Sequence, residues 1–202
     1  MKVVLLSSSL SRVLLDVAPD TSREELLSHM GFTFAIEGIS RACSHQIVRH
    51  RVASFSQQSQ RYIQIKRLGV HVVTPPIITD VNREVFDEYI QTASKVYQKL
   101  VEGGVAKEDA RFVLPNASET SLLMTMDGRS LMHFFGLRLC TRAQWEVRAL
   151  ANEMLLKVRA SEPELFKDAG PYCVQLLKCP EGKFSCDRMM EMKEKFSPQN
   201  PK

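Results

Sequence analysis

Residues 32–62 read FTFAIEGISRACSHQIVRHRVASFSQQSQRY, which is the most informative segment of the chain. Its aromatic and β-branched start, closed by Gly38, predicts a buried strand over 32–38. From Ile39 to about His50 the apolar residues recur at helical spacing, which predicts a helix. Residues 51–64 are polar and poorly periodic, so they predict a loop on the surface or over a ligand.

The flanking sequence predicts a few more strands and several helices. Residues 3–6 predict a first strand, and Thr21 or Ser22 can cap a helix with acidic residues in its first turn. A short strand is expected over 71–74, before two prolines. Further helices are predicted over 80–102, 119–126, 129–139 and 142–159. The predicted fold class is therefore α+β, with a small, mainly antiparallel sheet packed by several long helices.

The helix over 80–102 is predicted from apolar residues that recur at helical spacing, and the two glycines at 103 and 104 should end it. The residues at helical spacing are Val81, Val85, Tyr89, Val96 and Leu100. Past Pro163 the chain is rich in turns and lysine, and a loosely ordered tail is expected over about 187–202. We expect a single domain over 1–202.

The composition fits one globular domain of ordinary character. With 202 residues and 44% hydrophobic content the chain can bury a core. The net charge of +4 is too mild to imply nucleic acid by itself. Five cysteines form no even-numbered disulfide framework, so a reducing cytoplasm is expected. No apolar run approaches the ~18 residues of a membrane span.

Polar side chains concentrate at the end of the predicted helix. If that helix reaches His50, then Gln46, Arg49 and His50 share one face. Arginine offers a planar fork of donors to phosphate, and glutamine can pair with the amide-like edge of a pyrimidine. A nucleotide ligand fits this mixture, although basic tripeptides also occur on solvated surfaces.

A nucleic-acid-binding module without catalysis is an alternative interpretation. The segment interleaves aromatic and basic side chains, namely Phe55, Arg61, Tyr62, Lys66 and Arg67. Basic residues elsewhere are scattered and balanced by acids, which is unlike a nucleic-acid-binding surface.

The complete motif is similar to the signature of the flavin-dependent thymidylate synthases. It reads Arg-His-Arg-x-x-Ser over 49–54, followed by Ser-x-Arg-Tyr over 59–62. The resemblance extends over roughly residues 30 to 150, through Phe-Thr-Phe at 32–34, Arg-Phe-Val-Leu-Pro at 111–115 and Ala-Gln-Trp-Glu at 143–146. It implies the fold of that family and the reductive methylation of dUMP to dTMP. Methylenetetrahydrofolate would be the carbon donor and NADPH the reductant of FAD.

The resemblance implies two overlapping sets of binding residues. The dUMP set is Gln46, Arg49, Gln57, Gln58, Ser59, Gln60, Arg61, Arg111 and Arg138. The FAD set is Arg49, His50, Arg51, Gln57, Asp127, Gly128, Arg129 and His133. Many relatives carry glutamate at the position of Gln57, and asparagine at those of Asp127 and His133.

The resemblance also implies a mechanism and an assembly. Ordinary thymidylate synthases add a cysteine to the uracil ring, and no cysteine lies in this motif. Reduced flavin would replace that step, while Arg138 stabilises negative charge on the pyrimidine ring. In the family the sites form between subunits of a homotetramer, and Arg111 matches an arginine that reaches the nucleotide from a neighbouring subunit.

The chain departs from the family in one segment. A His-x-Ser-x-x-Glu-His stretch that helps to bind FAD normally precedes the Phe-Thr-Phe strand, but here Gly31 runs directly into Phe32. The region near residues 7–11 is also short. Either the deletion is real and affects flavin binding, or loops are missing from this chain; the second explanation is favoured because every other site block is kept. A member that binds dUMP but cannot hold FAD is a further alternative.

Three cysteines near the C-terminal end are Cys173, Cys179 and Cys186. A structural zinc site would need a Cys-x-x-Cys pair and a fourth ligand, and neither is evident. No metal site is expected, and buried or idle thiols are the preferred interpretation.

Overall fold

The computed structural model describes residues 1–8, 20–62 and 71–197. It contains four strands, β1 (Lys2–Ser8), β2 (Gly31–Ser40), β3 (Ser54–Gln57) and β4 (Glu119–Asp127). They form one sheet in the order β1-β2-β4-β3. The helices are α1 (Arg23–His29), α2 (Arg41–Ile47), α3 (Asp80–Glu102), α4 (Lys107–Ala110), α5 (Gly128–Arg138), α6 (Trp145–Ser161), α7 (Tyr172–Gln175) and α8 (Met189–Phe196). The predicted α+β class with a small antiparallel sheet is confirmed.

The chain divides into two compact units. The first comprises Met1–Ile36, Ile47–Phe55 and Leu123–Lys202, and the second comprises Glu37–Gln46 and Ser56–Leu122. The single domain over 1–202 stays a prediction. None of the helices in the described part of the chain is long and apolar enough to span a bilayer.

The first unit has an aromatic core. Phe32 and Phe34 alternate along β2 and are fully buried. The ring of Phe166 meets Phe32 edge-on at 5.2 Å and Phe135 of α5 at 6.2 Å. Helix α1 begins with a capping box, because Ser22 and Glu25 bond reciprocally to each other's backbone N–H groups. The predicted cap and first strand are thus confirmed.

The chain passes directly from α1 into β2. Helix α1 ends at His29, and the backbone N–H of Met30 donates to Leu26 at 3.1 Å before β2 begins at Gly31. Met30 is buried, and its carbonyl accepts from Gly128 at 2.9 Å. The connection is closed in this chain, and both explanations of the short segment before Phe32 stay predictions. Residues 9–11 lie outside the described range.

The second unit is built around α3, which matches the predicted helix over 80–102. Its core side is formed by Ile90, Ala93 and Tyr97. The apolar residues whose spacing predicted this helix lie largely on its exposed side, since Val81 is 87% exposed, Val85 71% and Tyr89 55%. Val96 is also exposed and Leu100 is half-buried. Helix α3 carries two apolar stripes, and the sequence periodicity alone does not indicate which of them is buried.

The segment 119–126, predicted as a helix, is strand β4. Thr120, Leu122, Met124 and Met126 are buried, and this period of two is that of a strand with one covered face. Pairing with the neighbouring strand outweighs the helix propensity of leucine and methionine. Thr33 and Thr125 exchange a hydroxyl hydrogen bond of 3.0 Å across the sheet.

Three other boundaries also differ from the sequence prediction. The predicted loop over 51–64 contains β3, and its residues 63 and 64 lie outside the described range. The expected strand over 71–74 forms a single bridge between Val72 and Ser118. The last long helix begins at Trp145 instead of about Arg142, because Gln144 caps it through the N–H groups of residues 146 and 147.

The C-terminal segment is more ordered than expected. Residues 189–196 form α8, and Met192 and Phe196 are buried. The guanidinium of Arg159 donates to the carbonyls of Ala169 and Phe196, both at 2.8 Å. These contacts tie α8 down, which corrects the expectation of a loose tail for this part of it. Residues 198–202 lie outside the described range.

Candidate functional site

A buried histidine in the first unit accepts a hydrogen bond from an arginine. Arg138, the last residue of α5, donates from Nε to Nε2 of His50 at 2.9 Å. His50 is only 7% exposed, and its ring lies 4.9 Å from that of Phe134. Burial, followed by the positive charge of Arg138 and the proximity of His133, lowers the pKa of His50 to about 4. The imidazole is therefore neutral near pH 7 and carries its proton on Nδ1.

Helix α5 also brings His133 to this place. Its ring lies 6.1 Å from that of His50, and its Nδ1 is hydrogen-bonded to the hydroxyl of Tyr172. Burial raises the pKa of Tyr172, so the phenol stays protonated. The helix is unbroken through Arg138, and both His133 and Arg138 reach His50. The sequence did not single out Tyr172, which lies 39 residues from its partner.

The start of α5 is explained by local structure. Asp127 caps the helix, accepting from the backbone N–H and the hydroxyl of Ser130, each at 2.7 Å. A Cβ on Gly128 would lie 2.8 Å from the side chain of Leu27, so this position permits close packing of α5 on α1. The capping role also accommodates the negative charge of Asp127 at a helix N-terminus.

Three arginines of the predicted FAD set are accessible. Arg49 and Arg51 are exposed and form no ion pair with any described residue. Arg129 makes a 3.5 Å ion pair with Glu24 in which both side chains remain mostly exposed. Such exposed pairs are weak and exchange readily with a competing anion. Guanidinium donors are thus available for the diphosphate of a dinucleotide.

The predicted single face of Gln46, Arg49 and His50 is wrong. Helix α2 ends at Ile47, and Arg49 and His50 lie in the turns that follow. The amide of Gln46 donates to the carbonyl of Ala42 at 3.3 Å.

In the second unit, the loop of the predicted dUMP set is anchored at its start. The amide nitrogen of Gln57 donates to the hydroxyls of Ser44 at 3.0 Å and Thr120 at 3.2 Å. The N–H of Gln58 donates to the carbonyl of Ser121 at 2.9 Å. Two polar contacts therefore hold Gln57 in place, and this side chain serves to position the loop.

The end of the loop meets α4. Arg61 forms an ion pair with Glu108, with Nη2 at 2.7 Å and Nε at 2.9 Å from the same carboxylate oxygen. The hydrogen bonds to Glu108 raise the pKa of Arg61. Lys107 donates to the carbonyl of Tyr62 at 3.1 Å, and the N–H of Arg61 donates to the hydroxyl of Ser59 at 3.2 Å. Lys66 and Arg67 lie outside the described residues.

A cavity beside this loop is rich in nitrogen donors. Arg111 and Gln60 line it, together with Arg41 and His45, which sequence reasoning did not single out. Burial and the nearby charge of Arg111 lower the pKa of Arg41. No local motif marks Arg41 or His45, because their neighbours in this cavity are distant in sequence.

Four free cysteines line another cavity, of about 260 Å³, in the first unit: Cys140, Cys173, Cys179 and Cys186. Burial and the proximity of the other three raise the pKa of Cys173. Within residues 1–8, 20–62 and 71–197, no three His, Cys, Asp or Glu side chains are placed to hold a metal ion.

Comparisons with known proteins agree with one another. A family model described as thymidylate synthase complementing protein matches residues 9–164. The flavin-dependent thymidylate synthase of Geobacter sulfurreducens is 50% identical over 193 residues, which cover 95% of this chain and 83% of the relative. That of Clostridium tetani is 46% identical over 188 residues, covering 85% of this chain and 75% of the relative.

Solved structures share the fold. The flavin-dependent thymidylate synthase ThyX of Helicobacter pylori, complexed with FAD and dUMP, matches with a TM-score of 0.68 at 21% identity. The match covers 84% of this chain and 100% of that one. PolB of Streptomyces cacaoi, a UMP/dUMP methylase bound with 5-Br UMP, matches with a TM-score of 0.68 at 24% identity, covering 84% of this chain and 94% of that one.

Proposed function

The chain belongs to the flavin-dependent thymidylate synthase family, and we propose that it methylates carbon 5 of dUMP to give dTMP. Methylenetetrahydrofolate donates the carbon, and NADPH reduces the FAD cofactor. The observation that carries this proposal is the pair of Arg138 and His50, in which an always-charged guanidinium is held by a neutral imidazole. The H. pylori relative, complexed with FAD and dUMP, supports the same ligands here.

The residues present fit FAD. Arg49 and Arg51 offer exposed guanidinium groups for its diphosphate, and the ring centroids of His50 and His133 lie 6.1 Å apart. The carboxylate of Asp127 is already stabilised in this place, because it accepts two hydrogen bonds from Ser130 at the N-terminus of α5. When bound, FAD carries the electrons that turn a methylene group into a methyl group. We assign to its site Arg49, His50, Arg51, Gln57, Asp127, Gly128, Arg129 and His133. Of these, Asp127, Gly128 and Gln57 position the surrounding backbone and do not contact the cofactor themselves.

Arg138 is the catalytic residue of the proposal. Carbon 5 of uracil becomes nucleophilic when negative charge builds up on the ring, and a fixed cation beside the ring stabilises that charge. Arginine suits this role because it never loses its proton near neutral pH. The neutral His50 accepts the Nε hydrogen of Arg138 and orients the guanidinium without cancelling its charge.

The dUMP site uses the anchored loop. Gln57, Gln58, Ser59, Gln60 and Arg61 wrap the nucleotide, and Arg61 exchanges its exposed pair with Glu108 for the phosphate. Gln46 and Arg49 contact the same nucleotide, as in the family motif. Arg111 and Gln60 line one cavity of a single chain. If Arg111 contacts the nucleotide of a neighbouring subunit, then Gln60 of the same chain, and with it the anchored loop, contacts that nucleotide as well.

A homotetramer is part of the proposal. Val81, Val85 and Tyr89 form an exposed apolar stripe at i, i+4 and i+8 on α3. Large exposed apolar stripes usually mark a protein interface. The five free cysteines support a reducing, cytoplasmic location.

Reconstitution with FAD tests the proposed function. The purified chain is incubated with FAD, freed of excess flavin and assayed for dTMP with dUMP, NADPH and methylenetetrahydrofolate. We expect retained flavin that bleaches with NADPH, and dTMP formation. Arg138→Gln should lower kcat about 100-fold or more while flavin is retained, since a preorganised charge donor at the reacting centre has effects of that size. Arg142→Gln is the matched control, because the guanidinium of Arg142 donates to the carbonyl of Phe184.

Two results would contradict the proposal. Retained flavin without dTMP would exclude the synthase reaction. dUMP binding without retained flavin would indicate a nucleotide-binding member that cannot hold the cofactor, and would favour a real deletion before Phe32.

A further inference from the structure

Four of the five cysteines meet at one cavity in the first unit. Cys140, Cys173, Cys179 and Cys186 line this space, which has a volume of about 260 Å³. All four are free and half-buried, whereas Cys43 is fully buried. A partly exposed thiol can react with a small molecule from solution, and a buried one is inert. The cavity therefore gathers the accessible thiols of the chain.

These thiols are not arranged around a metal position. In the part of the chain that the structure describes, no three His, Cys, Asp or Glu side chains converge where they could hold an ion. Several accessible thiols around one small space are suited to thiol–disulfide exchange with one another. In a reducing compartment, the disulfides that form in this way are usually transient and serve catalysis or redox sensing.

Two of the four thiols form the closest pair. After burial, the largest contribution to the raised pKa of Cys173 comes from Cys140, ahead of Cys179 and Cys186. Because an electrostatic effect weakens with distance, Cys140 is the nearest of the three to Cys173. Cys140 follows the end of α5, and Cys173 lies in α7. A bond between them would join these two helices.

The same two helices hold a contact of the proposed FAD site. Tyr172, the neighbour of Cys173 in α7, also lines the cavity and is hydrogen-bonded to His133 of α5. A Cβ on Gly136 would lie 2.7 Å from the ring of Tyr172, so α5 and α7 pack in close contact there. Tightly packed elements transmit small displacements to each other. A change at Cys173 is therefore felt at His133.

We propose that Cys140 and Cys173 form a reversible disulfide, and that this disulfide weakens FAD binding. The bond itself is independent of the proposed function, whereas its effect on FAD rests on that function. Drawing Cys173 towards Cys140 shifts the adjacent Tyr172 and breaks its hydrogen bond to His133.

A low-molecular-weight disulfide is the oxidant. The thiolate of Cys140 attacks one of its sulfurs, forms a mixed disulfide and releases one small thiol. Cys173 attacks second, because its raised pKa keeps it protonated for longer. It gives up its proton, displaces the second small thiol and closes the bridge. Two protein thiols are thus oxidised to one disulfide while the small disulfide is reduced to two thiols.

Mass spectrometry of the full chain tests the bond. Reduced protein is equilibrated with excess oxidised glutathione and digested without reduction. We expect a Cys140–Cys173 cross-linked peptide that lacks the mass of two hydrogen atoms and that dithiothreitol removes. Cys140→Ser and Cys173→Ser should each abolish it, so the test does not depend on the folding of one variant. Cys186→Ser is the matched control, because it changes a thiol of the same cavity and should keep the cross-link.

FAD binding is measured on the same samples by flavin fluorescence. Oxidation should raise the Kd for FAD about 5-fold or more, the usual size of a coupling between two sites, and dithiothreitol should restore it. Cys173→Ser should bind FAD with the same Kd before and after treatment with oxidised glutathione. Cys186→Ser should respond to oxidation as the wild type does.

Each outcome bears on the inference. A cross-link between another pair of cysteines, or glutathione that remains on Cys173 as a mixed disulfide, would overturn it. A Cys140–Cys173 bond that leaves the Kd for FAD unchanged would overturn it as well. A reduced wild type that binds no FAD would overturn the proposed function and the effect on FAD, while the mass measurement would still decide whether the bond forms.

Discussion

Acid should destabilise this protein through His50. The ordinary pKa of histidine is about 6.5, and the folded environment lowers that of His50 to about 4. Between those values the unfolded chain binds a proton that the folded chain does not. The contribution of the neutral His50 to the free energy of unfolding is therefore fully present above about pH 6.5 and is lost as the pH falls towards 4.

The magnitude follows from the two pKa values. Their difference corresponds to about 3 kcal/mol of unfolding free energy at full effect. The side chain is only 7% exposed, so solvent screening reduces the effect little. For a domain with a total stability of roughly 5–15 kcal/mol, this is a large share.

His50→Gln isolates the contribution. The amide oxygen of glutamine can accept from Arg138, as Nε2 of His50 does, but glutamine does not titrate. Urea unfolding is followed by circular dichroism at half-unit steps from pH 4 to 7.5. The wild type should lose about 3 kcal/mol more than His50→Gln over this range. His29→Gln removes an exposed imidazole and should keep the wild-type pH dependence.

One result would refute this reasoning. If wild type and His50→Gln show parallel stability–pH curves, His50 is not held neutral by burial and by Arg138. The account of Arg138 as a cation oriented by a neutral partner would then be wrong as well.

Three other perturbations test separate features. Glu108→Gln should tighten dUMP binding about 2- to 5-fold, measured by calorimetry, because it releases Arg61 from its exposed ion pair. An unchanged affinity would mean that the Arg61–Glu108 pair does not compete with the phosphate. Gly136→Ala should lower the free energy of unfolding, measured with urea, by about 1–3 kcal/mol, because the new Cβ would lie 2.7 Å from the ring of Tyr172. An unchanged free energy of unfolding would mean that the ring moves aside freely. Val85→Lys should break the proposed tetramer in sedimentation velocity, since Val85 is 71% exposed on the apolar stripe, and an intact tetramer would place the interface elsewhere.

Local physics made much of the fold predictable. The cap at Ser22, the helix Asp80–Glu102 and the strand Gly31–Ser40 depend on neighbours within a few residues. The complete motif over 49–62 pointed to the family that the comparisons then showed. These features need no knowledge of the tertiary structure, because propensity, capping and motif spacing are properties of adjacent residues.

Other features required contacts between distant residues. Residues 119–127 contain good helix formers, yet sheet pairing makes them a strand. The pair of His50 and Arg138 joins residues 88 positions apart.

The amino-acid pattern thus determined the fold class, the family and the arginine-rich character of the site. The tertiary structure determined which apolar face of α3 is buried, which protonation state His50 holds and which arginines share a cavity. The physical reason is that burial and charge proximity depend on the whole packed chain, whereas periodicity and caps depend on a few consecutive residues.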